Sequence, residues 1–296
     1  MTRTLALLTL LAALPASAQD PGKKWDVGTP RDSVVGDAVR RTRKSAMVVK
    51  RRILEGTKLV SEDEVKRGYD VVQTDEVLGA EKGEFVHGRR VYERYFDLQA
   101  GKEVPLAGLT VEHVRAADRT FSWKKSAGPD VPGFLNHELE LECKRLSRAA
   151  QDRAEGKGDG RDPLLPLEPV AVGERWTIPL ERACQGFGLV PEDVDADTVQ
   201  VSGVLEQVEP DGEWRRVKIT GSLGMKSMGG RAFSPPARWS AEIQMRLRPG
   251  DIEGTYRARG TIRGSFVDGP TGRTVSIEQT WETVNDRVVI DPEMGR

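Results

Sequence analysis

The sequence contains few of the side chains from which most enzyme centres are built, with two cysteines and three histidines among 296 residues. His87, His113 and His137 are widely spaced and form no H-x-x-x-H or H-E-x-x-H pair, so no zinc site is indicated. There is no G-x-S-x-G motif, neither cysteine has a histidine nearby, and the glycine-rich stretch 156–160 lacks the Lys-Ser/Thr of a phosphate loop. The sequence therefore predicts no catalytic residue, no metal and no cofactor.

One acidic stretch matches part of a calcium loop. Asp193, Asp195 and Asp197 occupy the first three ligand positions of an EF-hand. The sixth position holds Thr198 in place of glycine, and the twelfth holds Val204 in place of glutamate. We therefore interpret this stretch as an acidic loop.

The chain also lacks an excess of charge of either sign, with 45 basic and 46 acidic residues. A balance this even gives no electrostatic reason to expect nucleic acid or anionic lipid as a partner. The main basic concentration, residues 40–44 with residues 50–52, has acidic residues nearby in sequence. We interpret it as a solvated strand face rather than a binding patch.

Long hydrophobic runs are missing outside the N-terminus, so no transmembrane segment is predicted. Arg3 gives a positive start, residues 5–14 are apolar but too few to span a bilayer, and Ala16-Ser17-Ala18 matches a cleavage site. We predict a secretory signal peptide over residues 1–18, cleaved after Ala18, and an exported chain that is periplasmic or secreted. The remaining chain carries 44 basic and 46 acidic residues, and no cysteine follows the cleavage site for a lipid anchor.

Export bears on the two cysteines, Cys143 and Cys184. An oxidising compartment favours a disulfide between them, and closing that loop would add about 4 kcal/mol of stability on the chain-entropy argument. Two free thiols are the alternative. We favour the bridge because exported proteins meet an oxidising environment.

Strict alternation of apolar and polar residues is the clearest pattern that is present. It runs through residues 238–248, 255–267 and 274–283, which are separated by the turn sequences PGDIEG and DGPTGR. A period of two over such lengths indicates strands buried on one face only, each about 30 Å long. We predict an antiparallel meander of three long strands.

The register of the last two strands follows from their side chains. If Gly264 faces Ile277, two opposite-charge pairs and one ring over a glycine lie directly across from each other, which are favoured cross-strand pairs. A slip of one residue would destroy all three and turn the apolar residues to water. The three pairs are Arg263 with Glu278, Arg259 with Glu282, and Trp281 with Gly260.

Upstream segments are predicted with less regular patterns. Residues 198–223 predict a hairpin that turns at Pro210-Asp211-Gly212, with a bulge at Trp214 because that ring is out of phase with its neighbours. In the N-terminal half, β-branched and aromatic residues predict further strands. One amphipathic helix is predicted at about 134–154, with a single apolar stripe. The stripe consists of Leu135, Leu139, Cys143, Leu146 and Ala150.

The predicted fold is therefore mainly β: long antiparallel meanders in a curved sheet or half-barrel, with one amphipathic helix. The predicted divisions are a signal peptide (1–18), an N-terminal segment (19–44), an N-terminal meander with the helix (45–160), a Pro/Gly-rich connector (161–170) and a C-terminal meander (171–291).

A Val-Gly-acid triplet occurs twice. The stretch PLEPVAVGERWTIPL (166–180) contains Val172-Gly173-Glu174 ahead of Trp176, and Val35-Gly36-Asp37 precedes the first predicted strands. Each triplet leads, some thirty residues later, to a strand, an acidic glycine turn and a strand. This recurrence indicates either an internal duplication of a β-meander or a chance match of a common turn. In both cases the glycine permits a bend and Trp176 packs against the sheet.

The segment LPLEPVAVGERWTI resembles a segment of uncharacterised exported β-rich bacterial proteins. In these proteins a proline connector and a Val-Gly-acid triplet lead to a Trp at the start of a strand. The match covers some fifteen residues and the general layout of a signal followed by strands. The resemblance implies an exported β-rich protein, and these families carry no established activity to bring over.

The apolar face of the C-terminal meander mixes large side chains with gaps at alanine and glycine. A curved sheet with such a face can enclose an apolar ligand, and the alternative is that the large side chains fill the gaps, as close packing favours. The residues of this candidate apolar ligand face are Trp239, Ile243, Tyr256, Ile262, Phe266 and Trp281.

Three functions remain open on the sequence. The first is an exported non-catalytic β-sheet protein that binds another macromolecule, such as a protein partner, or has a structural role in the cell envelope or outside the cell. The second is a carrier of an apolar ligand or lipid in a half-barrel, and the third is an exported hydrolase. We favour the first, because no motif supports either of the others.

Overall fold

The computed structural model describes residues 23–28, 32–156, 162–251 and 253–290, and the predicted signal peptide lies outside these described residues. The described residues form fourteen strands, two α-helices and a short 3-10 turn. They are β1 (Lys24–Trp25), β2 (Ala38–Glu55), β3 (Lys58–Glu81), β4 (Glu84–Asp97), β5 (Lys102–Val104), β6 (Thr110–Arg115), β7 (Phe121–Ala127), α1 (Gly133–Ala154), β8 (Val170–Ala171), β9 (Arg175–Thr177), α2 (Leu180–Phe187), the 3-10 turn (Pro191–Asp193), β10 (Val194–Val208), β11 (Arg215–Met228), β12 (Arg231–Leu247), β13 (Gly254–Val267) and β14 (Thr274–Val289).

Twelve strands form one antiparallel sheet, in which β5 adds to β4 beside the main path. The order along that path is β7-β6-β4-β3-β2-β14-β13-β12-β11-β10-β9, and β1 pairs separately with β8. Within the described residues the sheet is open, with β7 and β9 at its two edges. The predicted fold class, long antiparallel strands in a mainly β chain, is confirmed.

The two predicted meanders are parts of one sheet. Strand β14 pairs with β2 along its whole length, from Thr274 opposite Leu54 to Val289 opposite Val39. The first long strand also starts at Ala38, so residues 38–44, which were predicted as an N-terminal segment, belong to the sheet. Residues 40–44 are mostly charged, so they show no alternation of apolar and polar residues that would indicate a strand.

The register predicted for the C-terminal meander is confirmed. Gly264 lies opposite Ile277, and Trp281 lies across Gly260, where the ring fills the space that a side chain would occupy. Arg263 faces Glu278 and Arg259 faces Glu282, as the favoured cross-strand pairs require.

The bulge predicted at Trp214 is on the other strand of the hairpin. Leu205 pairs with Val217 and Gln207 with Arg216, so the extra residue is Glu206 on β10. Trp214 lies in the turn before β11 and packs its ring under the guanidinium of Arg246, 3.9 Å away. The ring is out of phase because Trp214 lies before the first residue of the strand, not because the strand has a bulge there.

The predicted helix is confirmed as α1, but the predicted disulfide is wrong. Cys143 lies on α1, which packs beside β7 at one end of the sheet, and Cys184 lies on α2, which packs against β10 at the other end. Both cysteines are buried free thiols. No local pattern reports the separation between the two helices, and the sheet between them keeps their thiols apart.

The two Val-Gly-acid triplets form the same local structure. In each, the glycine has a positive φ, and the backbone N–H of the acid donates to the carbonyl of the residue three positions before it. These hydrogen bonds join Asp37 to Val34 and Glu174 to Ala171. The N–H of Val34 donates to the carboxylate of Asp37 at 3.1 Å, and that of Ala171 donates to Glu174 at 2.8 Å. Each triplet is thus a capped turn at the start of a strand.

The same two turns are joined to the sheet in the same way. The N–H of Gly36 donates to the carbonyl of Val77 on β3, and that of Gly173 donates to Leu205 on β10. Trp176 follows the second turn, packs across Gly203 and donates from its indole N–H to the carbonyl of Leu164, as expected of a ring that packs against the sheet. The internal duplication stays a prediction, now with this shared turn as its local basis.

One face of the sheet is covered by other elements, and we call it the covered face; its side chains include Ile219, Ile243 and Ala258. Over β10–β13 the cover comes from α2 and from the segments around β1 and β8. The apolar core there is formed by Val27, Leu164, Leu165, Val170, Ile178, Ala183, Val201, Leu205, Val208, Val217, Ile219, Ile243, Met245 and Ala258. Each large side chain in such a core stabilises the fold by about 1.5–3 kcal/mol.

The opposite face, which we call the open face, carries polar side chains such as Ser240, Thr261 and Thr280. Because neighbours along a strand point to opposite faces, every apolar residue packed beneath the helices has a polar neighbour on this side. Neither described helix combines the length and apolarity needed to cross a membrane.

Candidate functional site

The six residues of the candidate apolar ligand face lie together on the covered face. Trp239, Ile243, Ile262 and Phe266 are at most 7 % exposed, and Tyr256 and Trp281 are half-buried against the same clusters. Phe187 of α2 meets the ring of Trp239 edge-on, with their centroids 4.6 Å apart. These side chains are therefore core residues in contact with the covering elements.

The gaps on this face are occupied by neighbouring side chains. A side-chain carbon at Gly260 would lie 2.5 Å from the ring of Trp281, and one at Gly264 would lie 2.4 Å from Ala237 and 3.0 Å from Phe233. Large and small residues thus fit together as close packing requires. The large side chains of this face fill its gaps.

Under α1 the covered face carries charge beside a third apolar cluster, in which Leu135 and Leu139 of the helix pack with Val71 of β3. Arg90 of β4 donates two hydrogen bonds to the carboxylate of Glu142 on α1, at 2.6 and 2.8 Å, and a third to Asp75 on β3 at 2.5 Å. The carboxylate of Asp75 also forms an ion pair with the guanidinium group of Arg41 on β2, at 2.8 Å. The arginines and acids of three strands and one helix form a single network that holds α1 on the sheet.

The network controls the ionisation of its members. Burial alone would raise the pKa of Asp75, but the charges of Arg41 and Arg90 outweigh it and hold that pKa well below the usual range of an aspartate. For Glu142, burial is likewise outweighed by Arg90, and its pKa is lowered. Both acids are carboxylates already engaged by guanidinium groups, so neither is a free base.

The three histidines do not meet one another. His113 is 4 % exposed, burial lowers its pKa, and its Nε2 atom lies 3.9 Å from Glu142. His87 contacts Glu112 at 3.2 Å, and His137 is exposed on α1. Asp193, Asp195 and Asp197 lie in the 3-10 turn and on β10, not around a calcium loop. Across the described parts of the chain, no group of three or more His, Cys, Asp or Glu side chains could hold a metal ion.

The open face contains a groove of about 540 Å³ that crosses five adjacent strands, β2, β14, β13, β12 and β11. Its floor includes a cross-strand row of small side chains in which Ser240 pairs with Thr261, Thr261 with Thr280, and Thr280 with Val48. At a strand spacing of about 4.8 Å, five strands give a floor about 19 Å long. We call this depression the hydroxyl groove.

The hydroxyls of the floor keep hydrogen-bonding capacity toward solvent. The Oγ atoms of Ser240 and Thr261 are 3.0 Å apart and hydrogen-bond to each other. A hydroxyl has one donor and two acceptor positions, so this contact uses only part of what the pair offers. The floor can therefore both donate to and accept from a polar ligand.

One side of the hydroxyl groove is a row of alternating charge, Glu242, Arg259 and Glu282, on β12, β13 and β14. Arg259 lies opposite Glu282 in register but donates to Glu242 at 2.9 Å. Lys218 approaches the same carboxylate at 3.1 Å, and its hydrogen bond lowers the pKa of Glu242. The wall therefore has fixed charges of both signs.

A second depression of about 290 Å³ lies on the same face, on β2, β13 and β14. Its polar lining residues are Lys50, Arg52, Arg263, Ser265, Ser276 and Glu278. Arg263 and Glu278 bond to each other at 2.7 Å, which confirms the contact expected from the register. We call this depression the basic pocket; it adjoins the hydroxyl groove because Arg263 and Thr261 are neighbours on the open face of β13.

The basic concentration at 40–44 and 50–52 is explained by this sheet. Lys50, Arg51 and Arg52 face Glu64, Asp63 and Glu62 across β2 and β3, with ion-pair distances of 3.6, 2.7 and 3.1 Å. These residues form a strand with paired charges, as predicted. Arg41 departs from that prediction, because it points to the covered face and joins the network of Arg90.

The alternation of apolar and polar residues predicts a solvated face for the polar residues of β12, β13 and β14 but does not join them into a site. The register predicted for β13 and β14 already sets Thr261 opposite Thr280. The missing information was the pairing of β14 with β2, which brings Ala46 and Val48 into the same groove. That pairing joins residues more than 200 positions apart, and no local pattern signals it.

No family model matches the chain, and no curated protein matches it. Among solved structures, OpdQ of Pseudomonas aeruginosa aligns with 86 % of this chain and 98 % of its own, at 7 % identity and a TM-score of 0.23. The outer membrane protease OmpT of Escherichia coli aligns with 87 % of this chain and 98 % of its own, at 9 % identity and a TM-score of 0.16. Scores this low do not support a shared fold.

Proposed function

We propose that this is an exported, non-catalytic protein that binds a polyhydroxylated chain, a glycan, in the hydroxyl groove. The observation that carries the proposal is the uncovered groove itself, about 540 Å³ in volume, in which hydroxyl and charged side chains of β11–β14 lie beside the small apolar side chains Ala46 and Val48 of β2. Export rests on the predicted signal peptide and agrees with the resemblance to exported β-rich proteins.

The chemistry of the groove favours a hydrophilic chain over a protein partner. Protein interfaces depend on a few aromatic or arginine anchors buried in an apolar centre. Here the large aromatic side chains of β12–β14 pack on the covered face, and the open face offers Ser240, Thr261 and Thr280 between charged rows. A ligand that donates and accepts many hydrogen bonds matches such a surface.

The test is binding of the chain from Gln19 onward to soluble neutral polysaccharides, measured by affinity electrophoresis and calorimetry. Thr261→Tyr places a ring on the groove floor and should reduce the affinity at least tenfold. Thr255→Tyr, on the same face of the same strand but outside the groove, is the matched control and should bind normally. Equal affinity for both variants, or binding only to a protein partner, would contradict the proposal.

The same preparation separates glycan binding from carriage of an apolar ligand. A carrier would release lipid into a solvent extract, which mass spectrometry detects. We expect an extract without a stoichiometric lipid, because Trp239, Ile243 and Ile262 are in contact with the elements that cover them. A lipid present at one equivalent would move the site to the covered face.

A further inference from the structure

Two like charges stand opposite each other at the edge of the basic pocket, where Arg263 lines the depression and its cross-strand neighbour Arg238 lies just outside it. Arg238 of β12 lies directly opposite Arg263 of β13 on the open face. Like charges directly opposite each other destabilise a sheet. Lys50 and Arg52 add two further cations at the same depression, separated from Arg263 by β14.

The acids that pair with the arginines of the pocket leave some of the N–H donors of each guanidinium group unused. Arg52 donates through Nε and one terminal nitrogen to Glu62, and Arg263 contacts Glu278 through the corresponding atoms. A guanidinium has five N–H donors in a planar fork, so further donors remain on both arginines. Glu62 and Glu64 stand on β3, beyond β2 from the pocket, and hold Arg52 and Lys50 from the far side.

Two hydroxyls complete the lining. Ser265 and Ser276 are directly opposite each other on β13 and β14, between the cations of β2 and Arg263. Hydroxyls and guanidinium groups are common ligands of carboxylate, sulfate and phosphate oxygens. The depression of about 290 Å³ therefore combines three cations and two hydroxyls with one carboxylate, that of Glu278, which lies between Lys50 and Arg263 in the sheet register.

We propose that the basic pocket is a subsite for an anionic group of the bound glycan, a carboxylate, sulfate or phosphate, while neutral units of the same chain occupy the adjoining hydroxyl groove. This inference rests on the proposed function. The depression holds three cations on two strands, Lys50, Arg52 and Arg263, so its size suits one anionic group of a chain rather than a continuous polyanion.

Three β-1,4-glucan derivatives with a common backbone test the proposal: hydroxyethyl cellulose, carboxymethyl cellulose and cellulose sulfate. The protein should bind at least one acidic polymer tenfold or more tightly than the neutral one, and added sulfate, phosphate or acetate should reduce that preference. Which acidic polymer and which competitor act more strongly distinguishes a carboxylate from a sulfate or phosphate. Equal affinity for all three polymers would overturn the subsite.

The variants locate the effect. Arg52→Gln combined with Arg263→Gln, both in the lining of the basic pocket, should remove the preference for acidic polymers and leave the affinity for hydroxyethyl cellulose within twofold. Arg257→Gln, on the same face of β13 but lining neither depression, should leave the preference intact. A loss of preference in Arg257→Gln as large as in the double variant would contradict the proposed location.

Failure of the subsite differs from failure of the proposed function. If all three polymers bind equally and Thr261→Tyr abolishes that binding, the groove is the site and the anion subsite is refuted. If no polymer binds to the protein at all, both proposals are refuted.

Discussion

The two ends of the covered face each pack against a helix, but the contacts differ in chemistry. Beneath α2 the sheet presents Ile219, Ile243 and Trp239, and the contacts are apolar. Beneath α1 it presents Arg90, which binds Asp75 on the sheet and Glu142 of the helix, beside a smaller apolar cluster. An apolar interface depends on the fit of its side chains, whereas a charged one depends on every partner being present, because an unpaired buried charge is costly.

Removing the central cation should therefore produce the largest effect. We expect Arg90→Met to lower the free energy of unfolding by about 3–5 kcal/mol, because it leaves the carboxylates of Asp75 and Glu142 near each other without their shared partner. Urea unfolding followed by circular dichroism measures the change.

The neighbouring residue is its control. Arg89 carries the same side chain and contacts Glu76 on the open face. Arg89→Met should cost less, about 1 kcal/mol, because the Arg89 side chain is 37 % exposed and its loss leaves one carboxylate without this partner rather than two. Similar losses for Arg89→Met and Arg90→Met would mean that the two faces of the sheet do not differ in this respect.

The same comparison explains how far sequence analysis could go. In β12–β14 the apolar face leaves an alternating pattern, and the register followed from charge pairs and from Trp281 over Gly260. In β2 and β3, Arg41, Gln73 and Asp75 occupy covered positions where an apolar residue would be expected. Alternation cannot assign a face when both faces carry charge, so residues 40–44 resembled a solvated segment.

The groove and the two cysteines depend on the order of the strands, which local sequence patterns do not specify. The floor of the hydroxyl groove needs the pairing of β14 with β2, and the separation of Cys143 from Cys184 depends on which end of the sheet each helix covers. Both are consequences of strand order. Local patterns specify which face a residue occupies, but strand order between distant segments emerges only from the assembled sheet.

At the apolar end of the covered face, stability should depend on how closely the side chains fit, whereas at the α1 end it depends on paired charges. A side-chain carbon at Gly260 would lie 2.5 Å from the ring of Trp281 and 2.6 Å from the carbonyl of Ser240. We expect Gly260→Ala to lower the free energy of unfolding by about 1–3 kcal/mol through overpacking. Chemical denaturation at constant pH is the measurement.

Gly269→Ala is the matched control for that substitution. Gly269 lies in the turn between β13 and β14, and no atom lies within 4 Å of the added carbon. Its effect should stay within about 0.5 kcal/mol. A negligible effect of Gly260→Ala would show that the ring of Trp281 moves aside easily and that the covered face is less closely packed than these contacts indicate.

The smallest effect is expected for an ion pair on the open face. Arg263 and Glu278 are 2.7 Å apart but 67 % and 40 % exposed, so solvent screens their attraction. A double-mutant cycle with Arg263→Gln and Glu278→Gln should give a coupling energy of about 0.2–1 kcal/mol, which decreases in 1 M salt. The equivalent cycle on Arg90 and Glu142 should give a larger coupling that salt changes little, because Arg90 is only 11 % exposed. Equal couplings with equal salt dependence would remove the distinction between the open and covered faces, since both pairs have arginine–carboxylate contacts of similar length.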